Sequence, residues 1–357
     1  MTRFEHLSRG AASACLVLVA ALMALGLWIS FTPAPPDNLP PPPPEQGGGD
    51  LGLYRGIVAK MRHGGAYEPT AIAEHRAKLY PLRPFLVVRP PLLANFLARL
   101  PSDAVGDMIL ATLGLAGIAA WAVRLLELKL RPVGLAFMIV AVVSGAIPAM
   151  VGNDEALFHE TWAGLLIFLS LAVRTEKHFV ISVLLGLLAA VVRELAMPYL
   201  LVMSVVALWE RRWTEGGAFA VALLASLGAL AVHAHAVQQL TTAADMASPG
   251  WVKLGGWRFV LSTGQWNMFV VALGLWLASL FIPLSLVGAA AMKGPTGLRL
   301  ALLLAGYTLG FIVIGRPSNL YWGLIPAPLG GVALAFAPMG LWELGQRAGL
   351  VRTAQAT

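Results

Sequence analysis

An aspartate, Asp50, stands directly after Gly47, Gly48 and Gly49, and Tyr54 follows about one helical turn later. A carboxylate so placed can take the proton from a hydroxyl as it attacks an electrophile, provided that nearby cations hold the departing group. An aspartate after glycines at a helix start is also a good N-cap, and the two roles are compatible. A second polar concentration is the segment GNDEALFHET, which brings Asn153, Asp154, Glu155, His159 and Glu160 close together in an apolar chain. If that segment is helical, Glu155 and His159 stand four apart on one face, a spacing that suits a divalent ion or an acid–imidazole pair. No third ligand is spaced convincingly. Recognition of a polar donor or acceptor is therefore the stronger expectation, and neither a metal nor any other cofactor is assigned. Asp154 is a candidate second acid.

The candidate cations are spread along the chain. Arg193 and Glu194 sit at the junction of two short apolar runs, where an unpaired charge costs at least about 2.5 kcal/mol in a membrane. Either the pair neutralises itself, or the Arg193 fork grips a phosphate. Arg316, in GRPSNLYWG with Asn319, poses the same alternatives. Lys253 and Arg258 lie among Trp251, Trp257 and Trp266, a grouping that reads first as an interfacial anchor and second as a sugar-stacking platform or a grip on a lipid. His233 and His235 fall in an apolar run and read as structural.

The elements that must position these residues are membrane helices. Of 357 residues, 58% are apolar and 12% charged, about half the charge of an average soluble domain. Apolar runs lie at 11–31, 104–123, 132–151, 161–173, 179–192, 195–208, 217–240, 268–292, 298–314 and 320–342. This predicts an all-α, polytopic bundle of about ten spans forming one membrane domain. The first run follows Arg3 and Arg9 and is too long for a signal-peptide core, so it reads as an uncleaved span. Cationic loop residues such as Arg124, Lys129, Arg131, Arg174, Lys177, Arg211, Arg212, Lys293 and Arg299 fall on one side if both termini are cytoplasmic. The runs at 161–173, 179–192 and 195–208 reach only about 20 Å of a roughly 30 Å core, which predicts half-depth helices lining a polar cleft on the outer side. The lone cysteine, Cys15, excludes a disulfide framework. The net charge of +7 is dispersed between apolar runs, which argues against nucleic acid as a partner.

Residues 32–103 form the one long outer loop. Pro33, Pro35, Pro36 and Pro40 to Pro44 predict a stiff extended spacer. Beyond it, Leu51, Tyr54, Ile57, Val58 and Met61 recur at helical spacing with Arg55, Lys60 and Arg62 opposite, giving an amphipathic helix at about 50–63. A second helix is expected at about 70–79. An extended path through YPLRPFLVVRPP then brings Arg83 and Arg89 close to the bilayer.

The stretch GGGDLGLYRGIVAKMRHGGAY resembles the first outer loop of C-type (GT-C) membrane glycosyltransferases, especially bacterial polyprenol-phosphate-mannose-dependent mannosyltransferases. Asp50 with Tyr54, and Gly64-Gly65 with Tyr67, match the acidic residue, the D-x-x-x-Y-like pattern and the G-x-x-Y-like turn of that family. The resemblance is detailed over this loop and covers the rest of the chain in outline. It implies an inverting transfer of a sugar from a polyprenyl-phosphate carrier to a glycan or lipid acceptor at the outer face of the bacterial cytoplasmic membrane, with Asp50 as general base. The proline spacer between the first run and Asp50 is a departure from the family. Two other classes stand beside this reading: a transporter or flippase for a lipid or small solute, and a noncatalytic partner in envelope polysaccharide synthesis. No nucleotide-binding loop or nucleophile elbow is present, which favours a lipid-linked donor.

Overall fold

The computed structural model describes residues 2–34, 49–127, 155–250, 252, 254–266 and 274–351. The proline spacer beyond residue 34, the apolar run at 132–151 and the start of the run at 268–292 lie outside the described residues, as do Asp154 and Lys253. All regular structure among the described residues is helical, apart from one isolated bridge between Arg83 and Ala247. The chain divides into two compact units, one of Met1–Ala34, Ala116–Pro148 and Trp251–Thr357, the other of Pro35–Leu115 and Ala149–Gly250.

The first unit contains α1 (Arg9–Phe31) and the later helices of the chain. The second contains α2 (Gly49–Arg62), α3 (Tyr67–Ala77), α4 (Pro91–Ala98) and the first half of α5 (Asp103–Leu126). It continues with α6 (His159–Val173), α7 (Val180–Val192), α8 (Met197–Trp209) and α9 (Trp213–Leu240). In the first unit the remaining helices are α10 (Gly256–Thr263), α11 (Leu275–Ala291), α12 (Gly294–Val313), α13 (Ala327–Leu334) and α14 (Ala337–Arg347).

Among the described residues four helices, α1, α5, α9 and α12, are long and apolar enough to cross a membrane. The outward faces of two of them suit a lipid solvent. Val17, Leu18, Trp28 and Phe31 on α1, and Val221, Leu224 and Val232 on α9, are all exposed, an arrangement that water would penalise and lipid does not. The run expected at 320–342 is not one straight span. A 3-10 segment at Pro317–Leu324 leads into α13 and α14, which meet at a 50° bend. Pro328 and Pro338 each occupy the first turn of a helix, the one helical position where a missing N–H costs nothing.

In the first unit α1 packs on α11 and α14. The Thr2 backbone N–H donates to Glu343 Oε2 at 2.6 Å and Arg9 Nε donates to the Ala348 carbonyl at 3.1 Å, so the start of the chain is tied to its last helix.

In the second unit the three short runs form α6, α7 and α8, of 15, 13 and 13 residues. α6 packs on α7, while α7 and α8 pack on each other and on α9, and α6 is buried along nearly its whole length. Helices of half-membrane depth are tolerated when protein covers them. Ser170 Oγ donates to the Ser182 carbonyl at 2.6 Å and lies 2.6 Å from the Tyr199 hydroxyl, stitching three helices through otherwise apolar packing. Arg174 belongs to this fastening too. Its side chain is buried, with Nε donating to Glu215 Oε1 at 2.5 Å, while Arg212 takes the other carboxylate oxygen.

Candidate functional site

The site is assembled within the second unit, beginning with α2. Its buried face carries Leu53, Tyr54, Ile57 and Val58, with Arg55 and Lys60 exposed, as the sequence periodicity requires. The helix begins at Gly49, whose φ of 61° only glycine adopts without strain. Asp50 therefore lies inside the first turn, where a carboxylate is favoured by the helix dipole. It is half-buried, and among the described residues its side chain makes no hydrogen bond or ion pair.

Helix α3 runs back along α2. Lys78 Nζ donates to the Gly52 carbonyl at 2.7 Å, and Lys60 pairs with the buried Glu74. This brings the last turn of α3 beside the first turn of α2. His75 sits there, 2% exposed, with Nδ1 donating to the Ala71 carbonyl at 2.7 Å. Burial lowers the His75 pKa, Arg89 adds to that, and the Ala71 and Val87 backbone and the Asp50 charge oppose it. The negative charge of Asp50 is thus felt at His75.

Arg89 is the residue that sequence reasoning left at the membrane surface, and it is buried. Two prolines follow it, and Val88 before it is extended, so the backbone delivers the side chain sideways rather than along a helix. Arg89 Nε donates to the Tyr54 hydroxyl at 2.9 Å, and its guanidinium lies 5.9 Å from the Tyr54 ring centre. The Tyr67 hydroxyl donates to the Arg89 carbonyl at 2.5 Å; burial raises the Tyr67 pKa, so the phenol stays protonated for this role. His233 Nε2 donates to the Val88 carbonyl at 2.9 Å, holding the same stretch from α9, a structural role as its sequence context implies.

Glu160 connects this layer to Arg193. Fully buried, it accepts from Arg193 Nε at 2.6 Å and lies 3.8 Å from Arg89 Nη2. Arg193 also pairs with its neighbour Glu194. Its extended backbone, between α7 and the 3-10 turn Glu194–Ala196, is what lets the side chain turn inward. Two buried cations thus face two carboxylates, as buried charges must if they are to stay ionised. The sequence offered self-neutralisation or phosphate contact for Arg193. The self-neutralising pair is present, and Glu160 joins it as a second carboxylate on Arg193.

His159 opens α6. It is 4% exposed and meets Tyr54 edge-on, ring centres 5.4 Å apart. Neither ring nitrogen has a hydrogen-bond partner of proper geometry among the described residues, although the Leu157 backbone lies close. Glu155 and His159 do not share a helical face. Glu155 begins a 3-10 turn, Glu155–Leu157, and Phe158 is extended before α6 starts. Asp107 enforces this break by accepting the Ala156 N–H at 2.9 Å. Among the described residues no three His, Cys, Asp or Glu side chains gather as a metal ion would need.

Tyr54, Tyr67, His75, Arg89 and His159 line one cleft. It encloses about 320 Å³ including its mouth, but the room free for a water is about 10 Å³, space for one molecule.

Arg258, Arg316 and Asn319 belong to the other unit. Arg258 Nη2 donates to the Thr32 carbonyl at 3.1 Å and the Thr32 hydroxyl at 2.9 Å, a cation on the carbonyl end of α1. Arg316 Nη2 approaches Ser318 Oγ at 3.4 Å, and Asn319 is buried in the 3-10 segment. Sequence reasoning missed His75 and Glu74 altogether. A cation directly ahead of paired prolines in an apolar stretch was the available signal for Arg89. The chain matches no protein-family model, no curated protein and no solved structure.

Proposed function

We propose that this chain is an inverting membrane glycosyltransferase that moves a sugar from a polyprenyl-phosphate carrier to a glycan or lipid acceptor. The observation that carries the reading is the placement of Asp50: a half-buried carboxylate without a partner among the described residues, one turn before Tyr54 on the buried face of α2. Tyr54 in turn binds Arg89, and Arg89 leads to Glu160 and Arg193. In the reaction the acceptor oxygen attacks the anomeric carbon as the bond to the phosphate oxygen breaks. Asp50 takes the acceptor's proton, and the lipid phosphate leaves with the bonding electron pair. The likeness of the α2 loop to GT-C enzymes supports the same roles. Asp154, Glu155, His159, Glu160 and Glu194, all of the unit that holds Asp50, remain the proposed contacts to donor and acceptor, and no cofactor is invoked.

The proposal includes a bundle of about ten spans in the bacterial cytoplasmic membrane with both termini inside, which puts the α2–α3 loop and the cleft at the outer face. The tightness of the cleft implies that the donor enters as side chains at its mouth move apart.

The 50° break between α13 and α14 favours the transporter reading, since broken helices serve ion and solute sites. Purified protein in liposomes, given a polyprenyl-phosphate hexose and an acceptor outside, separates the two. Glycosylated acceptor is expected without flux; solute flux without product would replace the transferase with a transporter.

A further inference from the structure

The N-terminus of α6 is buried and uncapped. Phe158 offers no side-chain oxygen to it, and the backbone N–H groups of His159, Glu160 and Thr161 meet no acceptor among the described residues. A buried helix start in this condition leaves strong donors unmatched. Three side-chain groups in the same turn share the deficit: both ring nitrogens of His159, Thr161 Oγ1 and Glu160 Oε2 have no partner among the described residues, with His159 4%, Thr161 3% and Glu160 0% exposed. His159 also lines the cleft, so the first residue of this turn borders the space that holds one water-sized atom, with the other unmatched groups directly behind it in the same turn.

Charge narrows what that atom belongs to. The groups beside His159 are Tyr54 of α2, His75 of α3 and Arg89 of the segment before α4, with Glu155 and Glu160 in its own stretch. Arg193 and Glu194 face it from the α7–α8 junction. The two arginines are matched by Glu160 and Glu194, and Lys60 and Lys78 are engaged by Glu74. What the site offers an anion is therefore neutral N–H and O–H donors and the partial positive charge of the helix end, about half an elementary charge. That suits one negative charge and opposes two.

We propose that the start of α6 seats one non-bridging oxygen of a singly charged phosphodiester, held by the N–H groups of the first turn, the Thr161 hydroxyl and one imidazole N–H of His159. The inference rests on the transferase reading for its occupant, the donor headgroup, and adds a reason for product release. Transfer converts the diester into a monoester, which gains a second charge above about pH 6 and is then repelled by Glu160 and Glu194.

The test is binding to full-length protein in nanodiscs, using farnesyl phosphate, its methyl diester, and soluble dimethyl phosphate. At pH 8 the farnesyl diester is expected to bind at least about tenfold tighter than the monoester. The gap should close as pH falls through about 6, where the monoester sheds its second charge, while diester affinity stays flat. His159→Phe, which keeps the contact with Tyr54, and Thr161→Val are each expected to weaken the diester about tenfold without lowering the melting temperature, because each removes a buried polar group that lacks a partner. Equal affinities at pH 8, or wild-type binding by Thr161→Val, would overturn the site. Competition by dimethyl phosphate as strong as that by the farnesyl diester would overturn the lipid as its source. Diester preference in a protein that transfers no sugar would leave the site standing and remove the transferase, whereas transfer without that preference would remove the site alone.

Discussion

Glu160 is the keystone of the buried charges at the residue scale. It satisfies Arg193 directly and lies within ion-pair reach of Arg89, so Glu160→Gln should leave buried positive charge under-compensated. Loss of one partner of a buried pair costs about 3 to 5 kcal/mol, and a fall in melting temperature of matching size is expected in detergent; an unchanged midpoint would contradict the pairing. His75 gives a separate pH signature. Its pKa in the fold is lowered, mainly by burial, so in the interval between that value and the unfolded value near 6.5 the unfolded chain binds more protons. Stability contributed by neutral His75 is present above about pH 6.5 and is lost as pH falls below it. Melting curves at pH 7.5 and 5.5 should show the decline, and His75→Gln should flatten it. Little of this layer was readable in the sequence. Asp50, Tyr54, Glu160 and Arg193 stand out by type, but the bond between Arg89 and Tyr54 joins residues 35 positions apart, and no local pattern encodes such a pairing.

At the scale of elements, hydropathy reads well where one helix fills one apolar run. Helices α1, α5, α9 and α12 coincide with four such runs, and α2 with the amphipathic period around Tyr54. The second loop helix begins earlier than its periodicity suggested, at Tyr67 rather than near Thr70, because Ala66 rather than Thr70 is its N-cap. Hydropathy fails where prolines divide an apolar run, as between α13 and α14, since an average over the run does not register a break. The extra helix α4 was hidden in the same way by the prolines before it, although Pro91 at the first position is a helix-starting signal. Packing around these breaks depends on small residues. A methyl group on Gly288 of α11 would overlap the Ala333 carbonyl of α13, so Gly288→Ala is expected to destabilise the first unit by about 1 to 3 kcal/mol. Thermal unfolding of the variant checks this, and a neutral result would mean the two helices are less closely packed than described.

For the molecule as a whole, composition alone required lipid as solvent, and the exposed apolar faces of α1 and α9 agree with it. Within the second unit α2 packs on α3 and α4, α3 and the 3-10 turn before Val88 pack on α9, and α4 packs on α7, so that residues from these elements line one cleft. The proposed activity depends on whether the Asp50 carboxylate in the first turn of α2 moves a proton. The most direct measurement is single-turnover transfer from a polyprenyl-phosphate hexose by purified wild type and Asp50→Asn, with melting temperature followed in parallel. Loss of a general base should slow transfer by about 10² to 10⁴-fold at unchanged stability. Transfer by Asp50→Asn at the wild-type rate would contradict the role assigned to this residue.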